Sequence, residues 1–284
     1  MNVLSLFDGM SCGQIALNRL GIKYDNYFAS EIKKHAIEVT QDNFPNTIQL
    51  GDIKKIKAKD LPRIDLILAG SPCQDFSRGN KDRDGLKGQK SSLFYEFYRL
   101  FKECNPKNYI LENVIMPEAD YEYLSRLMET YPVRINSSKV SAQLRDRLYW
   151  TNIGEEYRDL FNFRYSNIPQ PIDKKQFLQD ILTSGYTDKQ KSRCLLTNTG
   201  AVRTNKESLL HRYKTTGMIT IVFEKEDLSM ESIRTFNKIE MERLQTVPEN
   251  YTKILDVNKA SDVLGDGWTV DVICHILSKL FYFD

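Results

Sequence analysis

Short apolar runs alternate with amphipathic stretches from residue 2 to about residue 153, and this alternation constrains the fold more than any other feature. Apolar runs bounded by turn residues are typical of strands, whereas apolar residues at three- and four-residue steps indicate helices. The pattern predicts βαβ units, and hence an α/β fold with a doubly wound, mostly parallel sheet that binds ligands at the carboxyl ends of its strands. The predicted strands are 2–6, 27–30, 47–50, 65–69, 108–111, 134–140 and 148–151, and the predicted helices are 14–20, 33–43, 92–104 and 119–130.

The pattern changes near Ile153. Residues 154–230 are polar, contain Pro169 and Pro171, and lack the regular alternation of strands and helices, which indicates a small second lobe. Helical periodicity returns at 237–245 and again at 268–281. We therefore predict three parts, namely 1–153, 154–230 and 231–284.

Composition excludes several classes of protein. The 284 residues include 40 Lys or Arg and 38 Asp or Glu, so a nucleic-acid surface must come from local clusters rather than from net charge. The five cysteines form no CxxC pair and only three histidines are present, so we predict no metal site. No apolar run approaches the roughly 20 residues of a membrane span, and scattered thiols favour a reducing compartment. We expect a soluble protein that is cytoplasmic or nucleoid-associated, or nuclear in a eukaryotic host.

Cys73 lies in Ser71-Pro-Cys-Gln74, directly after the apolar run 65–70. The thiolate is the reactive form of cysteine, and polar neighbours such as Ser77 and Arg78 suit it better than an apolar core does. Pro72 fixes its own φ and so places the thiol on a stiff backbone. The sequence therefore predicts a nucleophile, and the alternative is a buried structural thiol.

Glu112 ends the next strand in Leu111-Glu-Asn-Val114, where partial burial would favour the neutral carboxyl needed by a general acid. Arg145 and Arg147 alternate along a predicted strand, so both should point to one face while Asp146 points to the other. Two alternatives stay open. Glu112 is also typical of a helix cap or an ion pair, and Arg145 of an edge-strand salt bridge.

Carboxylates at the ends of two consecutive strands indicate a ligand that carries adenosine. Glu31 can accept hydrogen bonds from ribose hydroxyls, and Asp52 can accept one from the exocyclic amine of adenine. Beside them lies the turn 7–13, in which Gly9 permits a tight bend and Gly13 permits close approach of a ligand. The turn alone is typical of an ordinary loop. Glu31 or Asp52 alone would be typical of a solvated loop residue. Their combination favours the adenosine ligand.

Five motifs resemble those of the C5-cytosine DNA methyltransferases. They occur in the same order as in that family and at similar spacings. They are Asp8-Gly-Met-Ser-Cys-Gly13, Gly51-Asp-Ile53, Gly70-Ser-Pro-Cys73, Glu112-Asn-Val114 and Gln143-Leu-Arg-Asp-Arg147. Residues 92–99, 140–142 and 240–252 further resemble the catalytic domain of the de novo branch known from animals. The resemblance covers nearly the whole chain. It implies a class I, Rossmann-like methyltransferase fold in which 154–230 recognises the target and the last helix packs back on the first domain.

The resemblance also implies the cofactor S-adenosylmethionine. Phe7 is expected to stack near the adenine, and the turn 265–268 to close over the methionine end. Asp266 departs from the asparagine common at this turn in the wider family. The residues expected to bind the cofactor are Phe7, Asp8, Gly9, Ser11, Gly13, Glu31, Ile32, Asp52, Ile53 and Trp268.

By the same resemblance, the expected reaction is methyl transfer to C5 of cytosine in double-stranded DNA. Cys73 would add to C6, Glu112 would protonate or hydrogen-bond N3, and Arg147 would polarise O2. Arg145 would meet a phosphate or the catalytic loop.

The reacting cytosine must leave the DNA stack, because C5 and C6 are inaccessible within a duplex. The segment 77–91 intersperses glycines with basic residues and is expected to be a mobile loop that assists this step. Seven Lys or Arg residues and two acids in 188–214 indicate phosphate contacts and base reading. The alternative for the loop is a solvated surface segment. The expected DNA-contacting residues are Ser77, Arg78, Arg83, Lys87, Arg203 and Lys206.

Two other functions stay open at this stage. A transfer-RNA cytosine methyltransferase would share the cofactor motifs and the Pro-Cys nucleophile. A non-catalytic DNA-binding paralogue is disfavoured, because such relatives lose residues equivalent to Cys73, Glu112 and Arg147.

The helix 92–104 carries more large apolar side chains than one buried stripe needs, which predicts a homodimer or larger assembly through this face. The alternative is that all of these rings face the protein's own core.

Overall fold

The computed structural model of the chain describes residues 1–71, 92–160, 163–197, 206–215, 217 and 219–282. Contacts divide the chain into two compact units. Unit 1 comprises Met1–Ile135, Asp146–Gln170 and Ile273–Asp284, and unit 2 comprises Asn136–Arg145 and Pro171–Val272. The functional division at residues 153 and 230 stays a prediction.

Fourteen strands and nine helices are present in the described residues. The strands are β1 Asn2–Leu6, β2 Asn26–Ser30, β3 Ile48–Gln49, β4 Leu66–Gly70, β5 Asn108–Val114, β6 Thr130–Tyr131, β7 Val133–Asn136, β8 Gln143–Leu144, β9 Asp146–Thr151, β10 Glu155–Arg158, β11 Arg164–Asn167, β12 Ser192–Arg193, β13 Val222–Phe223 and β14 Ile233–Arg234. The helices are α1 Cys12–Arg19, α2 Lys34–Asn43, α3 Ser92–Cys104, α4 Glu118–Met128, α5 Leu178–Ile181, α6 Lys206–Thr215, α7 Lys238–Leu244, α8 Val257–Asp266 and α9 Val270–Leu277.

A seven-stranded sheet in the order β3-β2-β1-β4-β5-β9-β7 forms the centre of unit 1. Its first five strands pair in parallel, and β9 runs antiparallel to β5. The order of the strands reverses between β1 and β4, and at such a switch point the connecting segments diverge and leave a crevice. The predicted α/β fold with a doubly wound, mostly parallel sheet is confirmed.

Both faces of the sheet are covered. On one face, Leu4, Ile67 and Leu111 pack in a core that includes Phe94 and Phe97 of α3. On the other face α1 approaches so closely that a Cβ at Gly13 would lie 2.5 Å from Cδ1 of Leu68. The strands are therefore buried on both sides, which explains their nearly continuous apolar sequences.

The apolar residues of α3 pack against this core of unit 1. These six residues are Leu93, Phe94, Phe97, Tyr98, Leu100 and Phe101. The ring of Tyr95 is 42% exposed on the outer side of the helix. Phe94, Phe97 and Leu100 are buried, whereas Leu93, Tyr98 and Phe101 are only partly buried, and assembly through this helix stays a prediction.

Unit 2 contains short helices and the two-stranded pairs β8–β12 and β13–β14. Asn237 begins α7 with a capping box, because its side chain accepts from the Glu240 amide while the Glu240 carboxylate accepts from the Asn237 amide. Burial alone would raise the pKa of Glu240. Hydrogen bonds from Arg234, Thr183 and Asn237 outweigh that effect and hold the pKa below its ordinary value.

Several boundaries differ from the predictions. The predicted strand 134–140 ends at Asn136 in β7, and a 3-10 turn, Ser137–Lys139, follows. The helix predicted to reach Thr130 ends at Met128, because Glu129 adopts a positive φ of 53° and Thr130 begins β6. The hairpin of β10 and β11 pairs with β6 in unit 1, although the sequence suggested that it opens the second lobe.

In the part of the chain described above, no helix is long and apolar enough to cross a membrane. Within the same residues, no group of three or more His, Cys, Asp or Glu side chains is arranged to hold a metal ion.

Candidate active site

The turn after β1 is fixed by hydrogen bonds to the end of β2. The amide of Asp8 donates to the carbonyl of Ser30 at 3.0 Å, and the amide of Gly9 donates to Oε2 of Glu31 at 2.8 Å. Gly9 has a φ of 59°, and within the described residues no atom other than those of Gly9 and its two chain neighbours lies within 4 Å of the position that its Cβ would take. A glycine in this conformation leaves open backbone at the carboxyl end of the sheet, as a ligand site requires.

Asp8 has an internal role in this turn. Its carboxyl group accepts hydrogen bonds from the hydroxyls of Ser11 and Tyr27, the latter at 2.9 Å. Burial raises the pKa of Asp8 to about 6, against the lowering effect of these hydrogen bonds. No pattern in the sequence pointed to Tyr27, because an aromatic residue in a buried strand is typical of core packing.

Glu31 and Asp52 lie at neighbouring strand ends, as predicted. Oε1 of Glu31 accepts from the amides of Ile32 and Lys33 at 2.8 and 2.9 Å. Oδ1 of Asp52 accepts from the amide of Lys54 at 3.0 Å and so caps a 3-10 turn, Ile53–Lys55. A carboxylate has about four acceptor positions, so these bonds leave capacity on both groups for a ligand.

The remaining predicted cofactor residues have contrasting environments. Ile32 is 74% exposed beside Glu31, whereas Ile53 is 3% exposed and packs in the core of unit 1. Phe7 is partly buried against the same core. A Cβ at Gly13 would face Leu68 and the hydroxyl of Tyr27, so close packing of helix on sheet requires this glycine, and the approach of a ligand to its backbone stays a prediction.

Glu112 and Arg147 form an ion pair across β5 and β9. Nε of Arg147 lies 2.8 Å from Oε1 of Glu112, and the two side chains are only 13% and 10% exposed. Glu112 is thus an ion-pair residue, as the alternative interpretation predicted. Its partner, however, is the other residue predicted to contact the base, so the pair is compatible with the catalytic interpretation.

The strand register aligns the two predicted functional carboxylates. Leu6 pairs with Ser30 and with Ala69, and Ala69 pairs with Leu111. Glu31 and Glu112 are each one residue beyond this row. Since β1 and β4 lie between their strands, three strand spacings of about 4.8 Å separate them by roughly 14 Å.

The chain leaves β4 beside Glu112. Gly70 pairs with Glu112, and the amide side chain of Asn113 donates to the hydroxyl of Ser71 at 2.9 Å. Cys73 follows two residues later in the sequence and lies outside the described residues. Its predicted role as the nucleophile is therefore not tested by these contacts.

Arg145 and Arg147 do not alternate along one strand. Arg145 lies between β8, which pairs with β12, and β9, which pairs with β5. The prediction that both side chains point to one face is wrong, because two strands of different sheets meet at this residue. Arg145 is 5% exposed, and Nη1 donates to the carbonyls of Leu195 and Gly265 at 3.2 and 3.3 Å.

A buried polar network in unit 2 supports the segment that carries Arg145. The side-chain amide of Gln143 donates to Oε1 of Gln245 at 2.9 Å and to the carbonyl of Leu244 at 2.7 Å. Gln245 also accepts from the hydroxyl of Thr269 at 3.1 Å and donates to the carbonyl of Gly267 at 3.1 Å. The sequence contained Gln143 in a motif but predicted no role for it or for Gln245.

Trp268 belongs to unit 2 and is 9% exposed. The predicted turn 265–268 is partly helical, because α8 continues through Asp266. A Cβ at Gly265 would lie 2.5 Å from the backbone nitrogen of Thr197. Gly265 thus lets a neighbouring segment of unit 2 pass close to α8.

Most of the predicted DNA-contacting residues lie outside the described part of the chain, namely Ser77, Arg78, Arg83, Lys87 and Arg203. Lys206 is the first residue of α6, and its side chain is not among those that the structure describes.

One cation of the basic segment 188–214 serves the fold. Nζ of Lys191 donates to the carbonyls of Ser138, Ser141 and Gln176 at 2.7, 2.9 and 2.6 Å. Burial lowers the pKa of Lys191. The count of basic residues in this segment therefore overstates the charge available for phosphates.

Comparison with known proteins identifies related sequences. The family model for C-5 cytosine-specific DNA methylase matches residues 1–219. The Type II methyltransferase M1.ScrFI of Lactococcus lactis subsp. cremoris is 27% identical over 317 residues, which cover 98% of this chain and 77% of that protein. The Type II methyltransferase M.NgoBV of Neisseria gonorrhoeae is 40% identical over 115 residues, which cover 39% of this chain but only 27% of that protein.

Solved structures share the fold over nearly the whole chain. The Dnmt2 methyltransferase of S. pombe has a TM-score of 0.70 at 20% identity, with 99% of this chain and 98% of that chain covered. A putative DNA modification methyltransferase encoded within prophage Cp of E. coli has a TM-score of 0.67 at 19% identity, with 99% of each chain covered. At these identities the likeness supports the class I methyltransferase fold alone. The finer likeness to the animal de novo branch stays a prediction.

Proposed function

The chain belongs to the C-5 cytosine-specific DNA methylase family, and from this premise we propose that it transfers a methyl group from S-adenosylmethionine to C5 of cytosine in DNA. The observation that carries the proposal is the row of groups at the carboxyl edge of the sheet. Glu31 lies at one end of this row, and the buried pair of Glu112 and Arg147 lies roughly 14 Å away at the other. One edge thus offers hydroxyl acceptors for an adenosine and a polar pair for a base.

S-adenosylmethionine is the methyl donor of this family, and the residues at β1 to β3 fit it. Open backbone at Gly9 lets a ligand approach closely. Three of the roughly four acceptor positions of Glu31 are occupied, so one is left for a ribose hydroxyl, and Asp52 retains positions for the adenine amine. The exposed side chain of Ile32 offers an apolar surface for the purine. When bound, the cofactor supplies an electrophilic methyl group on its sulfonium.

The pair of Glu112 and Arg147 would polarise the cytosine ring. The Arg147 guanidinium would donate to O2 of the cytosine, and the Glu112 carboxyl would hydrogen-bond or protonate N3. Binding of the base would then replace part of the ion pair between these residues. Buried charges interact more strongly than exposed ones, so both contacts gain from their low exposure.

Covalent catalysis by Cys73 completes the proposed mechanism. The thiolate would form an S–C6 bond and the ring electrons would shift to C5, which would then form a bond to the methyl carbon as the bond from that carbon to the sulfonium breaks and its electron pair leaves on the sulfur of S-adenosylhomocysteine. A water then removes the C5 proton, the electron pair of that C–H bond restores the ring double bond, and the S–C6 bond breaks to release the thiolate.

DNA is the proposed polymer substrate, with the target cytosine rotated out of the duplex. We assign phosphate and base contacts to the loop 77–91 and to the basic segment 188–214. Arg145, outside both segments, would contact a phosphate or support the catalytic loop. A DNA substrate implies a cytoplasmic or nucleoid location, or a nuclear one in a eukaryotic host.

An experiment with deuterated methyl groups tests the proposal and its main alternative. The protein is incubated with S-adenosylmethionine bearing a CD3 group and either duplex DNA or transfer RNA, and the nucleosides are analysed by mass spectrometry. We expect trideuterated 5-methylcytosine from DNA. Label on transfer RNA alone would favour an RNA methyltransferase, and no label on either polymer would favour a non-catalytic paralogue.

A further inference from the structure

We propose that Arg99 is a positioning residue for the cofactor, which acts by holding the loop that presents Asp52. The inference rests on the proposed role of Asp52 as acceptor of the adenine amine. Arg99 lies in the middle of α3, and its hydrogen bonds to described residues go to Glu96, Glu103 and the backbone of the loop after β3.

The guanidinium of Arg99 spans the gap between α3 and the loop after β3. Nη2 donates to the carbonyl of Ile56 at 3.1 Å and lies 3.4 Å from the carbonyl of Ile53. Ile56 is the residue that ends the 3-10 turn, Ile53–Lys55, and its amide donates to the carbonyl of Ile53 at 3.2 Å, so Arg99 contacts both residues of the hydrogen bond that closes the turn. A cation at this end is also favoured by the dipole of the turn.

Asp52 caps the opposite end of the same turn through its bond from the Lys54 amide. Arg99 and Asp52 therefore hold the two ends of one three-residue element. A loosened carboxyl end would let the turn unwind, and the Asp52 carboxylate would lose its fixed direction. Ile53 and Ile56 anchor the loop in the core of unit 1, but apolar contacts do not orient its polar groups.

Two acidic residues of α3 orient the guanidinium. Nε of Arg99 donates to Glu96 at 3.0 Å, Nη1 donates to Glu103 at 3.0 Å, and Nη2 lies 2.9 Å from the Glu96 carboxylate in addition to its contacts with the loop carbonyls. All three nitrogens thus have partners, and this planar fork directs Nη2 at the loop carbonyls. A lysine has one ammonium group without such a fork, so Arg99→Lys should restore only part of the function.

The first test compares Arg99→Gln, Arg99→Lys and the control Lys102→Gln. Lys102 lies on the same helix and pairs with Glu129 at 3.5 Å, which is not part of the loop that carries Asp52. Its replacement removes the same positive charge from α3. Calorimetric titration with S-adenosylmethionine should give an affinity about two- to tenfold weaker for Arg99→Gln, a smaller loss for Arg99→Lys and none for Lys102→Gln. At saturating cofactor, kcat should stay within twofold of wild type for all three variants. Unchanged affinity in Arg99→Gln would overturn the inference, as would an equal loss in Lys102→Gln.

A double-mutant cycle with Asp52→Ala tests whether Arg99 acts through Asp52. If it does, the double variant should bind S-adenosylmethionine no more weakly than Asp52→Ala alone, within twofold. Losses that multiply would show an effect independent of Asp52 and would overturn the inference.

Hydrogen exchange without cofactor separates failure of the inference from failure of the proposed function. Arg99→Gln should speed exchange at the amides of Lys55 and Ile56, whose hydrogen bonds close the turn, and unchanged exchange there would overturn the inference. Faster exchange together with unchanged cofactor affinity in Asp52→Ala would instead place the failure in the proposed role of Asp52.

Discussion

The guanidinium of Arg147 lies 2.8 Å from the carboxylate of Glu112, and both side chains are largely buried. Removal of one member of such a pair leaves the other charge without compensation in a low-dielectric site. A test of catalysis at this pair should therefore change the charge and keep the shape. Glu112→Gln keeps a carbonyl acceptor for the Arg147 guanidinium, although it leaves the Arg147 charge uncompensated, whereas Arg147→Ala removes the shape, the charge and all of the donors.

Glu112→Gln should lower the rate of methyl transfer by about 10²- to 10⁴-fold, because an amide cannot deliver a proton to N3 of the base. Single-turnover kinetics at saturating DNA and cofactor measure this rate. Cofactor affinity should stay within twofold of wild type, and Glu118→Gln in the first turn of α4 provides a matched control. A rate for Glu112→Gln within tenfold of wild type would argue against the assignment.

Asp52→Ala and Glu31→Ala should each weaken binding of S-adenosylmethionine by about 1 to 3 kcal/mol, since a polar group of the ligand loses its partner. The loss should be larger for Glu31→Ala, because this carboxylate also accepts from the amides of Gly9, Ile32 and Lys33. Calorimetry is the measurement, and Glu38→Ala on the exposed side of α2 is the control. Affinities equal to wild type for both variants would contradict the adenosine site.

Asp8→Asn should remove one contribution to the pH dependence of stability. The pKa of Asp8 rises from an ordinary 3.8 to about 6 on folding, so the folded protein favours the neutral carboxyl. This contribution is fully present below about pH 3.8 and is lost as the pH rises through about 6. The loss amounts to roughly 2 to 3 kcal/mol, at about 1.4 kcal/mol per pKa unit.

Urea denaturation of the wild type and of Asp8→Asn at about pH 4 and about pH 7.5 tests this expectation. The free energy of unfolding of the wild type, relative to the variant, should fall over that interval. A difference between the two proteins that does not change with pH would show that Asp8 does not titrate in this range.

Gln245→Leu should lower the free energy of unfolding by about 2 to 4 kcal/mol, because it leaves several buried hydrogen-bonding groups without a partner. The affected groups include the side chains of Gln143 and Thr269 and the carbonyl of Gly267. Gln190→Leu is the control, since its side chain is exposed in the same unit. Equal unfolding midpoints for the two variants would contradict the role of this network.

The elements with strong local patterns were predictable from the sequence. β1 and α3 have the predicted bounds, because a continuous apolar run and a helix without Gly or Pro leave few alternatives. The positions of Glu31 and Asp52 after strands followed from the same patterns, since parallel strands bring their carboxyl ends to one edge, whereas Glu112 lies within β5, which continues to Val114 because it pairs with β9.

The errors occurred where tertiary packing decides. Arg145 and Arg147 follow a period of two in the sequence, but their strands join different sheets, and no local pattern reports a change of partner. The packing of Leu68 against Gly13 was also not predictable, because Leu68 belongs to a strand far away in the sequence. The contacts of Arg99 and Gln245 also depend on residues far apart in the chain, which periodicity does not predict.

Covalent trapping on DNA tests the central claim most directly. Duplex DNA that contains 5-fluorocytosine is incubated with the protein and S-adenosylmethionine, and the denaturant-stable complex is digested for peptide mass spectrometry. Fluorine at C5 cannot leave as a proton does, so the S–C6 bond should persist and the mapped peptide should carry the nucleotide on Cys73. The Cys73→Ser variant should bind cofactor and DNA but form no such complex. Absence of a trapped complex with wild type on DNA that it methylates in the unsubstituted form, or attachment to a residue other than Cys73, would contradict the account.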